Sequence, residues 1–384
     1  MLKIRLWIIL AFYAGLTLFW SCKNGNKVTA PLISFTMPTN GFKVAIGDSL
    51  PLNPTVVNNS RSTYTWAVNG VVVSSLKTFT FTPLKIGNYT IQLKVSNEIG
   101  SDDKSILVST FSNNSPYITK VFDYQYGPGQ VAAIIPSDWK GNDFVGQPWT
   151  GTKSYTSLGG WGGYIIAGFD HTVKNVAGAD FGVYTQPGTG SEPGVVYVMY
   201  DTNKDGIPND GDWAEIKGSE YSNSETIHNY QVTYFKPASN GEGNVTWTDN
   251  RGNNGELVPE YGSGSWWWSG YGNQTSVVFT GERLPDAFIN TATQAGAQNW
   301  AERPGLFSFG YAECYFDLDY NNSLKANLFD ISHAVDKSGN PVNLPGITFI
   351  KIQSGVFQIA GWLNEISPEI SGAVDLSLIE YTPN

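Results

Sequence analysis

Tyr64-Thr-Trp66-Ala-Val68-Asn-Gly70 and, further on, Gly87-Asn-Tyr89-Thr-Ile91-Gln-Leu93-Lys-Val95-Ser-Asn97 decide the fold of the first part of this chain. In both stretches large apolar side chains fall at every second position, the period of a strand that buries one face. Tyr64, Trp66 and Val68 share a face of the first, and Tyr89, Ile91, Leu93 and Val95 share a face of the second. Asn69-Gly70 is a strong hairpin signal, because a type I′ turn needs positive φ at both central residues. The expectation is two facing strands of one core, with Trp66 inside it. From Pro31 to about Thr110 such runs recur between turn residues, Phe79-Thr-Phe81-Thr among them, at the spacing of a small β-sandwich.

Beyond Ser112-Asn-Asn-Ser-Pro116, a polar linker closed by proline, the β pattern resumes. Strand-like runs stand at Val131–Ile135, Tyr164–Gly168, Phe181–Tyr184, Val195–Tyr200, Tyr230–Phe235, Val245–Trp247, Ser276–Thr280, Ile347–Ile352 and Val374–Glu380. Amphipathic helical windows are nearly absent, so residues 117–384 are expected to form a larger all-β domain of two packed, jelly-roll-like sheets. Phe181, Val183, Val195, Tyr197 and Met199 take core positions, and Asp286–Ala301 is the best place for a helical or loop insertion.

The chain opens with Lys3 and Arg5, then an apolar run from Leu6 to Phe19, then Trp20-Ser21-Cys22. That is the layout of a bacterial lipoprotein signal, with Cys22 as the lipidated first residue of the mature chain. The apolar run is shorter than the roughly 20 residues of a membrane-spanning helix. Residues 23–30 read as a polar tether. Acidic residues outnumber Lys and Arg by 33 to 23, for a formal net charge of −10, and no basic cluster is present to neutralise phosphates. Nucleic acid is thereby excluded as a partner, and a bound cation is compatible. Cys314 is the other cysteine, set in an aromatic run as a small buried hydrophobe, so no disulfide framework is expected.

Asp201-Thr-Asn203-Lys-Asp205-Gly206-Ile207-Pro-Asn209-Asp210-Gly211-Asp212 carries a mechanism in its spacing. Oxygen ligands at first, third and fifth positions, glycine at the sixth and a backbone carbonyl at the seventh match a calcium loop. Asp201, Asn203, Asp205, the Ile207 carbonyl, Asn209 and Asp212 are the expected ligands of a structural calcium ion. The competing reading is a solvated Asn/Asp/Gly turn. Because Val195–Tyr200 before it is a strand, the segment resembles the D-x-N-x-D-G loops inserted in extracellular β-proteins.

Trp266-Trp267-Trp268, with Tyr271 close by, lies in a Gly/Ser-rich stretch. Consecutive strand residues point to opposite faces, so at least one of these rings is expected to be exposed for ligand contact, unless all three cap sheet ends. Trp149, Trp161, Trp300 and Trp362 are weaker candidates of the same kind. No nucleophile elbow, zinc helix or phosphate loop is present, and His171, His228 and His333 share no metal-ligand spacing, so no catalytic residue is assigned. Glu313, Glu365 and Glu369 form the pool for a carboxylate pair, and Asp330, Asp336 and Asp375 could form a second cation site.

The stretches Tyr64-Thr-Trp66, Phe81-Thr-Pro83 and Gly87–Asn97 resemble the PKD family of immunoglobulin-like domains, which over residues 31–111 implies a spacer or adhesion module. Gly163–His171, Glu192–Met199, Glu215–Tyr221, Gly310–Glu313 and Gly361–Glu365 resemble surface lipoproteins encoded beside TonB-dependent transporters in gut Gram-negative bacteria. That resemblance implies a lipid-anchored outer-membrane protein at the cell surface, with the periplasmic face as the alternative because residues 23–30 lack the acidic run of many such lipoproteins; it is expected to be no enzyme and to capture a small ligand for such a transporter. Cobalamin or a related corrinoid is the ligand it implies. A glycan-binding protein, or a structural and adhesive protein without small ligand, are the alternatives.

Overall fold

Alternation places Trp66 and Leu93 on like faces, and hydrogen bonding then sets them side by side. The computed structural model describes residues 28–129, 141–148, 155–185, 190–238, 243–258, 268–314, 318–360 and 365–383. The leader with Cys22, the run Val131–Ile135, and Trp149, Trp266, Trp267 and Trp362 lie outside the described residues. Two compact units result, one ending at Thr110, the other comprising Leu84–Gly87 and the chain from Phe111 onward. All regular elements described are strands and short 3-10 turns. No helix among the described residues is long and apolar enough to cross a membrane.

In the first unit a five-stranded sheet runs in the order Phe42–Ala45, Ser101–Phe111, Asn88–Ser96, Thr63–Val68, Val71–Ser74. Trp66 pairs with Leu93 and Tyr64 with Val95, so the two deciding strands are neighbours in one sheet rather than facing strands. A period of two tells which side chains share a face, not which sheet a strand joins. Facing them are Ile33, Leu52 and Phe81 from two short strand pairs, and together these residues close the core. Trp66 is fully buried and donates its indole N–H to the Leu76 carbonyl at 3.0 Å. Asn69 and Gly70 have φ of 48° and 83°, the positive pair that a type I′ hairpin requires.

The second unit is built on a mixed-length antiparallel sheet ordered Lys120–Gln125, Tyr164–Lys174, Gly346–Ser354, Gly194–Met199, Ala214–Ile216, Ala334–Val335. Its one face supplies Ile165, Ala167, Val196, Val198, Ile350 and Ile352 to a core shared with Phe181, Val183, Phe329 and Ile370 of a second sheet. This is a β-sandwich, as expected. The opposite face carries Tyr164 against Trp161, Tyr230, Tyr234, Trp268 and Phe279, mostly from a third sheet of Ile227–Phe235, Val245–Asp249, Asn254–Leu257 and Ser276–Arg283. A sheet covered on both faces loses the plain inside/outside alternation. Hence the sandwich core takes Val196 and Val198, whereas Tyr197 stands on the other face.

Two further expectations change. The last strand is Glu369–Asp375 rather than Val374–Glu380, because the Asp375 carboxylate accepts from Ser377 N at 2.7 Å and turns the chain. Asp286–Ala301 holds no helix: Phe288–Asn290 pairs with Trp300–Glu302, and Asn290 Oδ1 closes the loop by accepting from Ala292 N and Asn299 N.

Candidate functional site

The strand Gly194–Met199 leaves the large sheet and enters the loop 201–212, which returns as the strand Ala214–Ile216. Asp201, Asp205 and Asp210 each bring a carboxylate oxygen to within 4.8 Å of the others. Asp201 is only 9% exposed. Its Oδ2 accepts from Gly206 N at 2.9 Å, and Gly206 takes φ 71°, so the sixth-position glycine makes the turn that calcium loops use. Asp201 Oδ1 and Asp210 Oδ2 are shielded and accept no hydrogen bond among the described residues. Buried carboxylate oxygens without donors are costly unless a cation or donor meets them. The donor set of hard oxygens therefore fits a divalent cation.

The remaining expected ligands are placed differently. Asn203 and Asn209 turn their amide nitrogens to Asp205 Oδ2, each at 3.1 Å. The Ile207 carbonyl accepts from Asn209 N at 2.8 Å. Asp212 lies apart, in an exposed ion pair with Lys337 at 2.6 Å, and Asp210 rather than Asp212 supplies the third carboxylate. Sequence spacing counted toward a twelfth-position ligand, and the tenth residue stands in that place instead.

Beside this loop runs a groove. Across the large sheet, register sets Asp123, Ile166, Lys351, Tyr197, Glu215 and Val335 in one row on the face away from the sandwich core. Above part of that row lies a cavity of about 180 Å³, whose lining includes Tyr197, Trp213, Tyr221, Glu215, Glu282 and Lys351. A neighbouring cavity of about 410 Å³ shares Asp212, Trp213, Asp336 and Lys337 with it and is bounded by Thr202 and Asp210 of the acidic loop. The loop is thus one wall of the groove.

Charges in the groove are strongly conditioned. Burial and then the nearby Glu282 charge push the Glu215 carboxyl up to about 9, so it stays protonated at neutral pH. Burial also raises Glu282, against which the contact of His228 Nδ1 with its Oε2 works. The His228 ring lies 4.7 Å from that of Tyr221. Lys351 Nζ sits 5.2 Å from the Tyr164 ring centroid and 5.0 Å from that of Tyr197. Burial brings its ammonium down to about 8, with Asp123 pulling the other way.

The tryptophan expectation is corrected where the residues are described. Trp268 and Tyr271 are each 2% exposed, with rings 4.8 Å apart in the core of the third sheet. Trp268 Nε1 donates to the Gln274 carbonyl at 2.8 Å, and Tyr271 OH donates to that of Tyr126. Neither offers a face to a ligand. Trp161 is core as well, its indole N–H on the Glu282 carbonyl, and Trp300 is half-buried in its hairpin.

Glu313, Glu365 and Glu369 do gather, with Glu192, but in the buried interior, where the adjoining cleft by Gly129, Trp161 and Phe357 measures only about 20 Å³. Burial lifts Glu192 to about 7, opposed by Ser367 N, and lifts Glu369 well above the carboxylate range, helped by Glu192 and Glu365. Asp330, Asp336 and Asp375 do not meet. Asp330 caps a turn at Ser332 N, Asp336 closes the 336–340 turn, and Asp375 accepts from His171 at 2.8 Å. Cys314 is buried beside Tyr311.

The groove residues Trp213, Tyr221, Glu282 and Lys351 escaped sequence reasoning. A signal existed: Tyr197 interrupts Val195-Val-Tyr-Val-Met199, and Lys351 interrupts Ile350-Lys-Ile352, in otherwise aliphatic strands.

The fold and this groove define an all-β protein in which a PKD-like domain precedes a β-sandwich. Residues 30–97 match the family model of the PKD-like domain. No curated protein matches the chain. Among solved structures it is similar to a quinonprotein alcohol dehydrogenase-like protein of Bacteroides thetaiotaomicron VPI-5482, at 13% identity over 89% of this chain and 99% of that one, TM-score 0.22. It is also similar to SGBP-B of the Bacteroides ovatus mixed-linkage glucan utilization locus, solved with a mixed-linkage heptasaccharide, at 11% identity over 67% and 98%, TM-score 0.19. A third likeness is to carbohydrate-binding modules of the β-sandwich superfamily, at 12% identity over 91% and 98%, TM-score 0.21. At such TM-scores whole chains do not superpose, and no ligand or activity passes from them to this protein.

Proposed function

We propose that this protein is a lipid-anchored binding protein of the outer membrane that holds a glycan in the groove at Tyr197, Trp213 and Tyr221. The proposal includes Cys22 as the lipidated residue, supported by the leader sequence, and the PKD-like domain as a spacer. It assigns no catalytic step. The observation that carries the reading is the meeting of three partly buried aromatic residues with Glu215, Glu282 and Lys351 in one cavity. A sugar ring presents an apolar C–H face and a hydroxyl edge, and such a lining answers both. Calcium held by Asp201, Asp205 and Asp210 would fix the wall that the loop contributes.

A corrinoid is the competing ligand, and no feature of the groove favours it. Passing the bound glycan to a TonB-dependent transporter is the role that fits an anchored capture protein. The test is a glycan array probed with the full chain and with Trp213→Ala, beside size exclusion with cyanocobalamin. Glycan signals that fall with Trp213→Ala support the reading. Cobalamin absorbance travelling with the protein, and an empty array, overturn it.

A further inference from the structure

We propose that the sugar taken by this groove carries an anionic group, a carboxylate or a sulfate, and that Lys351 is the residue that binds it. The inference rests on the groove being the ligand site, and it goes further by naming the ligand class. Lys351 lies in the middle of the cross-sheet row, between Ile166 and Tyr197, with the rings of Tyr164 and Tyr197 against its ammonium. Among the described residues no carboxylate is in ion-pair distance of its Nζ, and no acceptor is in hydrogen-bond distance.

Every acid around it is engaged elsewhere. On the strand beyond Ile166, Asp123 accepts from Tyr164 OH at 2.7 Å and reaches Lys351 only as a more distant charge. On the third sheet Glu282 is met by His228. On the loop side Asp212 is paired with Lys337, and Asp336 accepts from Ser338 N and Asn340 within its own turn. Glu215, on the strand beyond Tyr197, is buried and holds its proton. The ammonium is the charge left without a counter-charge, and it borders the cavity.

A shielded cation without a partner is unfavourable, and a charge-assisted bond to an anion relieves that cost more than a hydroxyl does. Glu215 and Tyr221 add hydroxyl donors beside it. Burial lowers the Lys351 ammonium to about 8, so most molecules carry the charge at neutral pH, and only above that value does a bound anion draw a proton back onto it. Affinity for an acidic sugar is then full below that value and falls as pH rises through it.

The test titrates the full chain by calorimetry with an oligogalacturonate, its neutral galactose counterpart, a sulfated oligosaccharide and a glucosamine oligomer. The expected result is at least about tenfold tighter binding of the galacturonate or the sulfated sugar than of the neutral one. Lys351→Met should erase that preference, and Lys351→Arg should restore it. Titrations above about pH 8, in two buffers of different ionisation enthalpy, should show proton uptake with the acidic sugar alone, a readout that stands even where Lys351→Met fails to fold. Equal binding of acidic and neutral sugars, tighter binding of the glucosamine oligomer, or a preference that survives Lys351→Met overturns the proposal and leaves the groove reading intact. Binding of none of the four overturns the groove reading with it.

Discussion

Trp268→Ala should destabilise rather than blind the protein. The ring is 2% exposed, packs 4.8 Å from Tyr271, and its indole N–H reaches the Gln274 carbonyl at 2.8 Å. Gln274 is itself exposed, so its carbonyl regains water on mutation and the lost hydrogen bond contributes only about 1 kcal/mol. The larger part is the emptied space beside Tyr271 in this buried cluster, since removing a buried Trp or Phe side chain costs about 3–5 kcal/mol. For a unit of this size each kcal/mol lowers the melting temperature by roughly 2–4 °C, so the two contributions together come to about 8–24 °C. Thermal melts followed by circular dichroism, with glycan binding measured well below the transition, provide the assay. An unchanged melt combined with lost binding would refute the placement of this ring in the core and return it to the ligand site.

Three shorter expectations accompany it. Calcium at about a hundred times its dissociation constant should raise stability by about 2.7 kcal/mol, and Asp201→Asn should remove both that gain and the calorimetric heat; a melt indifferent to calcium counts against the loop site. His171, held between Asp170 at 2.7 Å and Asp375 at 2.8 Å, has its pKa raised: burial lowers it, and the bonds and charges of the two carboxylates outweigh burial. A raised histidine contributes stability that is complete below about pH 6.5 and is lost as pH climbs through the folded value, so wild type and His171→Asn should converge in unfolding free energy on the alkaline side. A gap between them that stays constant from acid to alkaline pH would contradict this. Lys351→Met should flatten the pH dependence of acidic-sugar binding, read from affinities on either side of about 8.

The first unit was legible because one face of each strand is buried and the other wet, so Tyr64, Trp66 and Val68 announce their side. Which strands became neighbours was not, since pairing of Trp66 with Leu93 is a long-range choice that alternation does not encode. In the second unit both faces of the large sheet are covered, and Tyr197 reads the same in sequence whether it fills a core or lines a cavity. In the acidic loop Asp201 and Asp205 were legible because their spacing is local, whereas Asn203, Ile207 and Asn209 make other bonds and Asp210 stands where Asp212 was expected. The groove was not: Trp213, Glu282 and Lys351 come from three distant strands and loops, and only the fold brings them to one cavity.

The most direct test of the account is calorimetric titration of the glycan bound most tightly on an array into the wild-type chain and into Trp213→Ala. Trp213 is partly exposed and is common to both cavities, so losing its ring should weaken binding by about 2 kcal/mol, some thirtyfold, with the melting temperature nearly unchanged. Wild-type affinity in the folded Trp213→Ala variant would contradict the claim that this groove is where the protein holds its ligand.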